Sequence, residues 1–136
     1  MLLDTNVLVS AALFPDGVAA RAFEAAVWGD EALVPRYVIS ELVDVCARKF
    51  PSRMGAIRRF VQSLSGAVEI IADAAEVSGE GVIRDAKDWP IWRAAKASRA
   101  DILVTGDKDF LESGLTDPQI LSPAQFLATQ PRIRRR

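Results

Sequence analysis

The sequence predicts an α/β sandwich, a central and largely parallel sheet covered by helices on both faces, in one domain. Three observations carry that prediction. Short apolar or β-branched runs alternate with stretches of helical period along the chain, the pattern of strand–helix units feeding a parallel sheet. Two of those runs lead into an aspartate: Leu2-Leu3 into Asp4, and Ile102 to Thr105 into Gly106-Asp107. The chain has 136 residues, 50% of them hydrophobic and 26% charged, which is enough for one core and too little for two.

Taken in order, Leu2-Leu3 is the first strand, and Asn6 to Leu13 has helical composition until Phe14-Pro15-Asp16-Gly17 breaks it. Val18 to Trp28 repeats apolar residues at helical spacing and closes at Gly29-Asp30. Ala32-Leu33-Val34 is a brief strand, after which Pro35 opens a helix with a buried stripe of Ile39, Leu42, Val43, Cys46 and Phe50, stopped by Pro51. Glu41 lies off that stripe. Met54, Ile57, Val61 and Leu64 mark a further amphipathic helix ended by Gly66, and Val68 to Ile71 reads as a strand. Residues 73–87 have no clean period and read as a short helix plus loop. A helix then follows Asp88 to about Ser98, Ile102 to Thr105 is a strand, and Gln119 to Leu121 is the last strand. Ser122 as N-cap and Pro123 at the first helical position start a final helix through Ala128.

The apolar runs are all broken by charged residues well short of membrane-spanning length, and the chain opens on a strand rather than a charged leader, so a cytoplasmic protein is expected. Cys46 is the single cysteine, and its helical neighbours mark it as a small buried thiol. Net charge is −1, yet Arg132, Arg134, Arg135 and Arg136 crowd the C-terminus, leaving residues 1–131 with 13 basic against 18 acidic groups, or −5. Residues 1–129 are therefore expected to form the domain and 130–136 a basic tail, either solvated or in contact with phosphates.

Asp4, Glu41, Asp88 and Asp107 are distant in sequence, but each stands where a strand or helix boundary aims a carboxylate at a common point. In a parallel sheet Asp4 and Asp107 emerge at the same edge, where loops form a crevice. Converging carboxylates repel one another, and a divalent cation removes that penalty. An oxygen-only donor set with no histidine favours Mg²⁺ or Mn²⁺ over zinc, and the chemistry such a site serves is phosphodiester cleavage. Singly, each acid also has an ordinary reading: Asp88 and Asp107 as N-caps, Glu41 as a solvated helix residue, Asp4 as the start of an Asx-turn. The polar clusters Asp4-Thr5-Asn6 and Thr105-Gly106-Asp107-Lys108-Asp109, each at a strand end, make coincidence the poorer account.

At these residues the chain resembles the PIN domain, a metal-dependent ribonuclease fold found in toxins of toxin–antitoxin pairs, including VapC-type toxins. The pieces come in family order from about Leu2 to Leu127: Leu3-Asp4-Thr5-Asn6-Val7-Leu8-Val9-Ser10, Ser40-Glu41-Leu42, Asp85-Ala86-Lys87-Asp88, then Val104-Thr105-Gly106-Asp107-Lys108-Asp109-Phe110. The first and last are the specific ones. The resemblance implies a three-layer α/β/α sandwich with Asp4, Glu41, Asp88 and Asp107 as catalytic and metal-binding acids. It further implies that Asn6 and Thr105 orient ligands or the attacking water and that Asp109 assists at the metal. Asp85 and Asp88 both precede the same helix, and Asp88 aligns better. Trp89 departs from the family, which often has a small polar residue there. An RNA substrate, a small antitoxin partner and a homodimer are implied by the resemblance alone.

Arg48, Lys49, Arg53, Arg58 and Arg59 read as the solvated faces of amphipathic helices rather than an RNA rim, and Trp28, Trp89 and Trp92 as packing or interface anchors. Two other readings compete with the nuclease: a catalytically silent module of the same fold that binds RNA or acts as a scaffold, and a haloacid dehalogenase-type phosphatase. The four acids count against the first. The second expects an aspartate where this chain has Asn6.

Overall fold

The structure is a computed structural model, and it describes residues 1–29, 32–73 and 89–130. Its elements are β1 (Leu2–Leu3), α1 (Thr5–Leu13), α2 (Val18–Trp28), β2 (Leu33–Pro35), α3 (Arg36–Lys49), a 3₁₀ turn (Pro51–Arg53), α4 (Met54–Ala67), β3 (Glu69–Ile71), α5 (Trp89–Ser98), β4 (Ile102–Val104), α6 (Lys108–Leu111), β5 (Gln119–Leu121) and α7 (Pro123–Thr129). The expected segment 73–87, Asp85, Asp88 and the arginine tail lie outside the described residues, apart from Asp73.

The five strands form one sheet in the order β3-β2-β1-β4-β5, every pairing parallel. This is the α/β sandwich expected. Leu2 and Leu3 are both fully buried, because β1 is the middle strand and side chains alternating to either face meet helices on both. From β1 the chain steps outward through β2 to β3, then crosses back to β4 on the other side of β1. Helices α1 to α4 pack against one another, and the right-handed rule for parallel crossovers assigns them to one face of the sheet and α5 to the other. The β1–β4 junction is thus the topological switch point, where open α/β sheets form their crevice.

The expected α3 stripe needs correction. Its fully buried residues are Val38, Leu42 and Cys46, while Ile39, Val43 and Phe50 are half-buried. The helix is rotated so that Glu41 and its neighbours four residues apart face a cleft against α1. Pro35 both ends β2, in register with Ile71, and stands at the N-cap of α3, which begins at Arg36. Pro35 offers α3 no side-chain cap, and the Tyr37 N–H instead donates to Asp73 Oδ1 at 3.1 Å, from the segment just past β3.

Two other boundaries moved. Gly66 does not end α4, which continues through Ala67 until Val68 turns extended to enter β3. The four-residue α6 and the 3₁₀ turn after Phe50 were unforeseen, both being too short for a periodic signal. At the last helix the expectation holds in detail: Ser122 and Gln125 form a reciprocal capping box with Pro123 in the first turn. Cys46 is a free, buried thiol. Trp92 packs in the core as expected, whereas Trp28 is 82% exposed at the end of α2. Among the described residues no helix is long and apolar enough to cross a membrane.

Leu3→Ala removes a fully buried side chain from the strand on which both halves of the sheet pair, and the rigid flanking strands limit collapse of the cavity. A loss of about 2–5 kcal/mol is expected in urea denaturation, against about 1 kcal/mol for Ser122→Ala at the α7 cap.

Candidate active site

Parallel pairing sets Leu2 beside Leu103 and Leu3 beside Val104, so the next residues, Asp4 and Thr105, leave the sheet together. The Asp4 N–H extends the ladder by one bond to the Val104 carbonyl, 3.1 Å away. Beyond that point the backbone of Asp4 is the N-cap of α1, and its carboxylate Oδ1 accepts the Thr5 N–H at 2.7 Å. The other oxygen, Oδ2, accepts the Thr105 hydroxyl at 2.7 Å. One aspartate thus ends a strand, caps a helix and ties β1 to β4.

Asp4 is only 8% exposed, and Thr105 is fully buried beneath it. Burial raises the Asp4 pKa from 3.8 to about 6; its hydrogen bonds from Thr105 and Thr5 oppose the rise, while the nearby charges of Glu41 and Asp107 add to it. The same Thr105 oxygen accepts the Asp107 N–H at 3.0 Å, so its hydroxyl both donates and accepts. Asp107 caps α6 through Oδ1, which takes the Asp109 N–H at 2.8 Å. The ordinary capping readings of Asp4 and Asp107 are therefore realised together with their convergence, because each cap occupies one oxygen and leaves the carboxylate facing the crevice.

Glu41 arrives from α3. Thr5, one residue past Asp4, donates its hydroxyl to Glu41 Oε1 at 2.5 Å, fixing the third acid to the first turn of α1. Asn6 acts on the opposite side, its Oδ1 accepting the Gly106 N–H at 3.1 Å and holding the β4–α6 loop against α1. Asp4, Asn6, Glu41 and Asp107 all line one cavity of about 570 Å³ between α1 and α3. Asp109 does not line it; its backbone steadies Asp107. Among the described residues no group of three acids, histidines or cysteines is close enough to hold a metal ion. Asp88, the remaining acid of the expected set, lies outside the described residues.

Sequence reasoning passed over Thr5 as an individual residue and placed Lys49 on a solvated face. Lys49 is exposed as expected and also borders the cavity, since Tyr37, Glu41, Val45 and Lys49 recur every four residues on one line of α3 and all four line it. Of the other four basic residues, Arg53 donates to the Leu13 carbonyl at 3.2 Å, and Arg48, Arg58 and Arg59 are exposed and do not border the cavity.

A family model described as "PIN domain" matches residues 1–109 of the chain. Among solved structures the chain is similar to VapBC2 from Rickettsia felis, crystallised bound to a DNA fragment from their promoter. That similarity has 20% sequence identity and a TM-score of 0.64, covering 88% of this chain and 95% of that one. No curated protein matches.

The raised Asp4 pKa makes the metal-free fold pH-dependent. The folded state holds this proton to about pH 6 while the unfolded chain releases it near 3.8, so the folded state binds more protons between those values. Stability contributed by protonated Asp4 is full below about pH 4 and is lost as pH rises through 6, by on the order of 2–3 kcal/mol. In EDTA, the stability of the wild type relative to Asp4→Asn is expected to fall across this range. A flat difference in urea midpoints from pH 4 to 7 would show Asp4 to titrate normally.

Proposed function

The chain belongs to the PIN domain family, and from that premise we propose that it is a metal-dependent endoribonuclease and the toxin of a toxin–antitoxin pair. The observation that carries the reading is the meeting of Asp4, Glu41 and Asp107 in one cavity at the switch point of the sheet. Burial and the charges of Glu41 and Asp107 raise the proton affinity of Asp4, a cost that a divalent cation would relieve.

The donor set fits Mg²⁺ or Mn²⁺, because every candidate ligand is a hard oxygen. In this reading Asp4, Glu41, Asp88 and Asp107 hold the ion, with Asp109 assisting from behind Asp107. When bound, such an ion supplies Lewis acidity toward a phosphate oxygen and lowers the pKa of a coordinated water. The chain's own residues supply orientation. Thr105 holds Asp4 and the Asp107 backbone with one hydroxyl, Thr5 holds Glu41, and Asn6 holds the loop that carries Asp107. These contacts fix the acids before any substrate arrives, which reduces the reorganisation left for the chemical step.

We assign residues 1–129 to the nuclease domain and 130–136 to a basic tail, and place the protein in the cytoplasm. A small antitoxin partner is proposed because the structural neighbour is a VapBC complex, and a homodimer on the resemblance to VapC-type toxins alone. The fold alone is common to this chain and that neighbour, so both assemblies stand as proposals.

Purified protein is expected to cleave RNA with Mg²⁺ or Mn²⁺, to stop in EDTA, and to lose at least 100-fold in rate, on the order of one key interaction, in Asp4→Asn and Asp107→Asn. Gel analysis of a panel of structured and single-stranded RNAs reads this directly. Cutting by the Asp4→Asn protein at the wild-type rate would remove Asp4 from the site, and metal binding without any cutting would favour the silent module.

A further inference from the structure

The cavity extends beyond the acids. Along α3 the eight steps from Glu41 to Lys49 span about 12 Å of helix axis. Over that length the lining changes from carboxylates to Val9 of α1, then Val45 and Phe50, with Lys49 as the cation at the far end. Among the described residues Lys49 has no ion-pair partner, and it sits in the last turn of α3, where the exposed carbonyls favour a cation. A wall of two valines and a ring, closed by one ammonium group, suits a flat apolar body attached to an anion. The acids and Lys49 are far enough apart that phosphates at the two ends belong to different residues of one strand. A base paired and stacked in a duplex cannot enter a cleft between two helices, whereas an unpaired base can lie against a ring.

We propose that Val9, Val45, Lys49 and Phe50 form a nucleotide subsite beside the acids, in which Lys49 takes a phosphate and the apolar wall takes an unpaired base of single-stranded RNA. The subsite rests on the nuclease reading for the identity of its ligand, but its binding is separable from cleavage.

The test is fluorescence anisotropy of an end-labelled single-stranded RNA octamer on the full chain, with Ca²⁺ in the buffer, at several NaCl concentrations. Lys49→Ala is expected to weaken binding about three- to ten-fold at 0.1 M salt and to flatten the slope of log affinity against log salt by about 0.7, the loss of one single-strand phosphate contact. Lys49→Arg should restore that slope. Phe50→Ala should weaken binding with the slope unchanged, and Phe50→Tyr should recover it. Circular dichroism melting checks that each variant is folded. An unchanged slope in Lys49→Ala, equal affinity for a duplex of the same sequence, or no binding by the wild type would each overturn the subsite. If RNA is cut under Mg²⁺ while the slope is unmoved, the subsite fails and the nuclease reading stands. If the slope moves as expected but no RNA is cut with any metal, the subsite stands and the nuclease reading fails.

Discussion

The hydrogen bond from Thr105 to Asp4 is the constraint around which the rest of the site is arranged. It joins residues separated by 101 positions, at the end of two adjacent parallel strands, and it satisfies a carboxylate that the fold has taken out of water. A buried carboxylate with no compensation would shift its proton equilibrium further or open the structure. Here the compensation is divided: one oxygen is met by a hydroxyl from β4's end and the other by the first backbone N–H of α1. Only part of the penalty is met, and the neighbouring acids keep the remainder in place. The site is therefore built in tension with the stability of its own core.

The strand order gives this arrangement its position. Because β1 lies in the middle of the sheet and the chain reverses direction across it, the ends of β1 and β4 open into one crevice, with α1 leaving from one and α6 from the other. Threonines on either side of that crevice then do matching work. Thr105 fixes the acid within the sheet, and Thr5 fixes the acid that arrives from α3. The packing of α3 makes the second bond reachable: with Val38, Leu42 and Cys46 in the core, the adjacent line of residues must face α1.

Much of the sheet was legible in the sequence because each short apolar run has strong punctuation, such as Pro35, Ser122-Pro123 or the aspartates themselves. The convergence of Asp4 and Asp107 was legible for the same reason, since parallel strands carry their C-terminal residues to one edge whatever the order of the strands. The rotation of α3 was not. Ile39 and Val43 are apolar and correctly spaced, but the buried stripe is chosen by which side of the helix meets β2 and α4, a tertiary fact that periodicity does not contain. Lys49 is exposed, as its charge implied, and what periodicity did not show is that its line of α3 also borders the cleft. Gly66 illustrates the converse error: glycine ends helices where a left-handed turn is needed, and here the chain simply straightens into β3 at Val68. Asp88, next to Trp89, falls outside the residues the structure describes.

The separation of Asp4 from Thr105 also bears on how the protein is made. A ribosome releases Asp4, Thr5 and Asn6 long before the β4 residues that complete their hydrogen bonds, and closing so long a loop is entropically slow. A growing chain can assemble β1, β2 and β3 with their helices while the crevice still lacks one wall and Asp4 lacks its hydroxyl partner. Any catalytic capacity is then withheld until synthesis has passed Asp107. For the nuclease proposed above, this delay keeps the nascent chain inert while its own message is still being read.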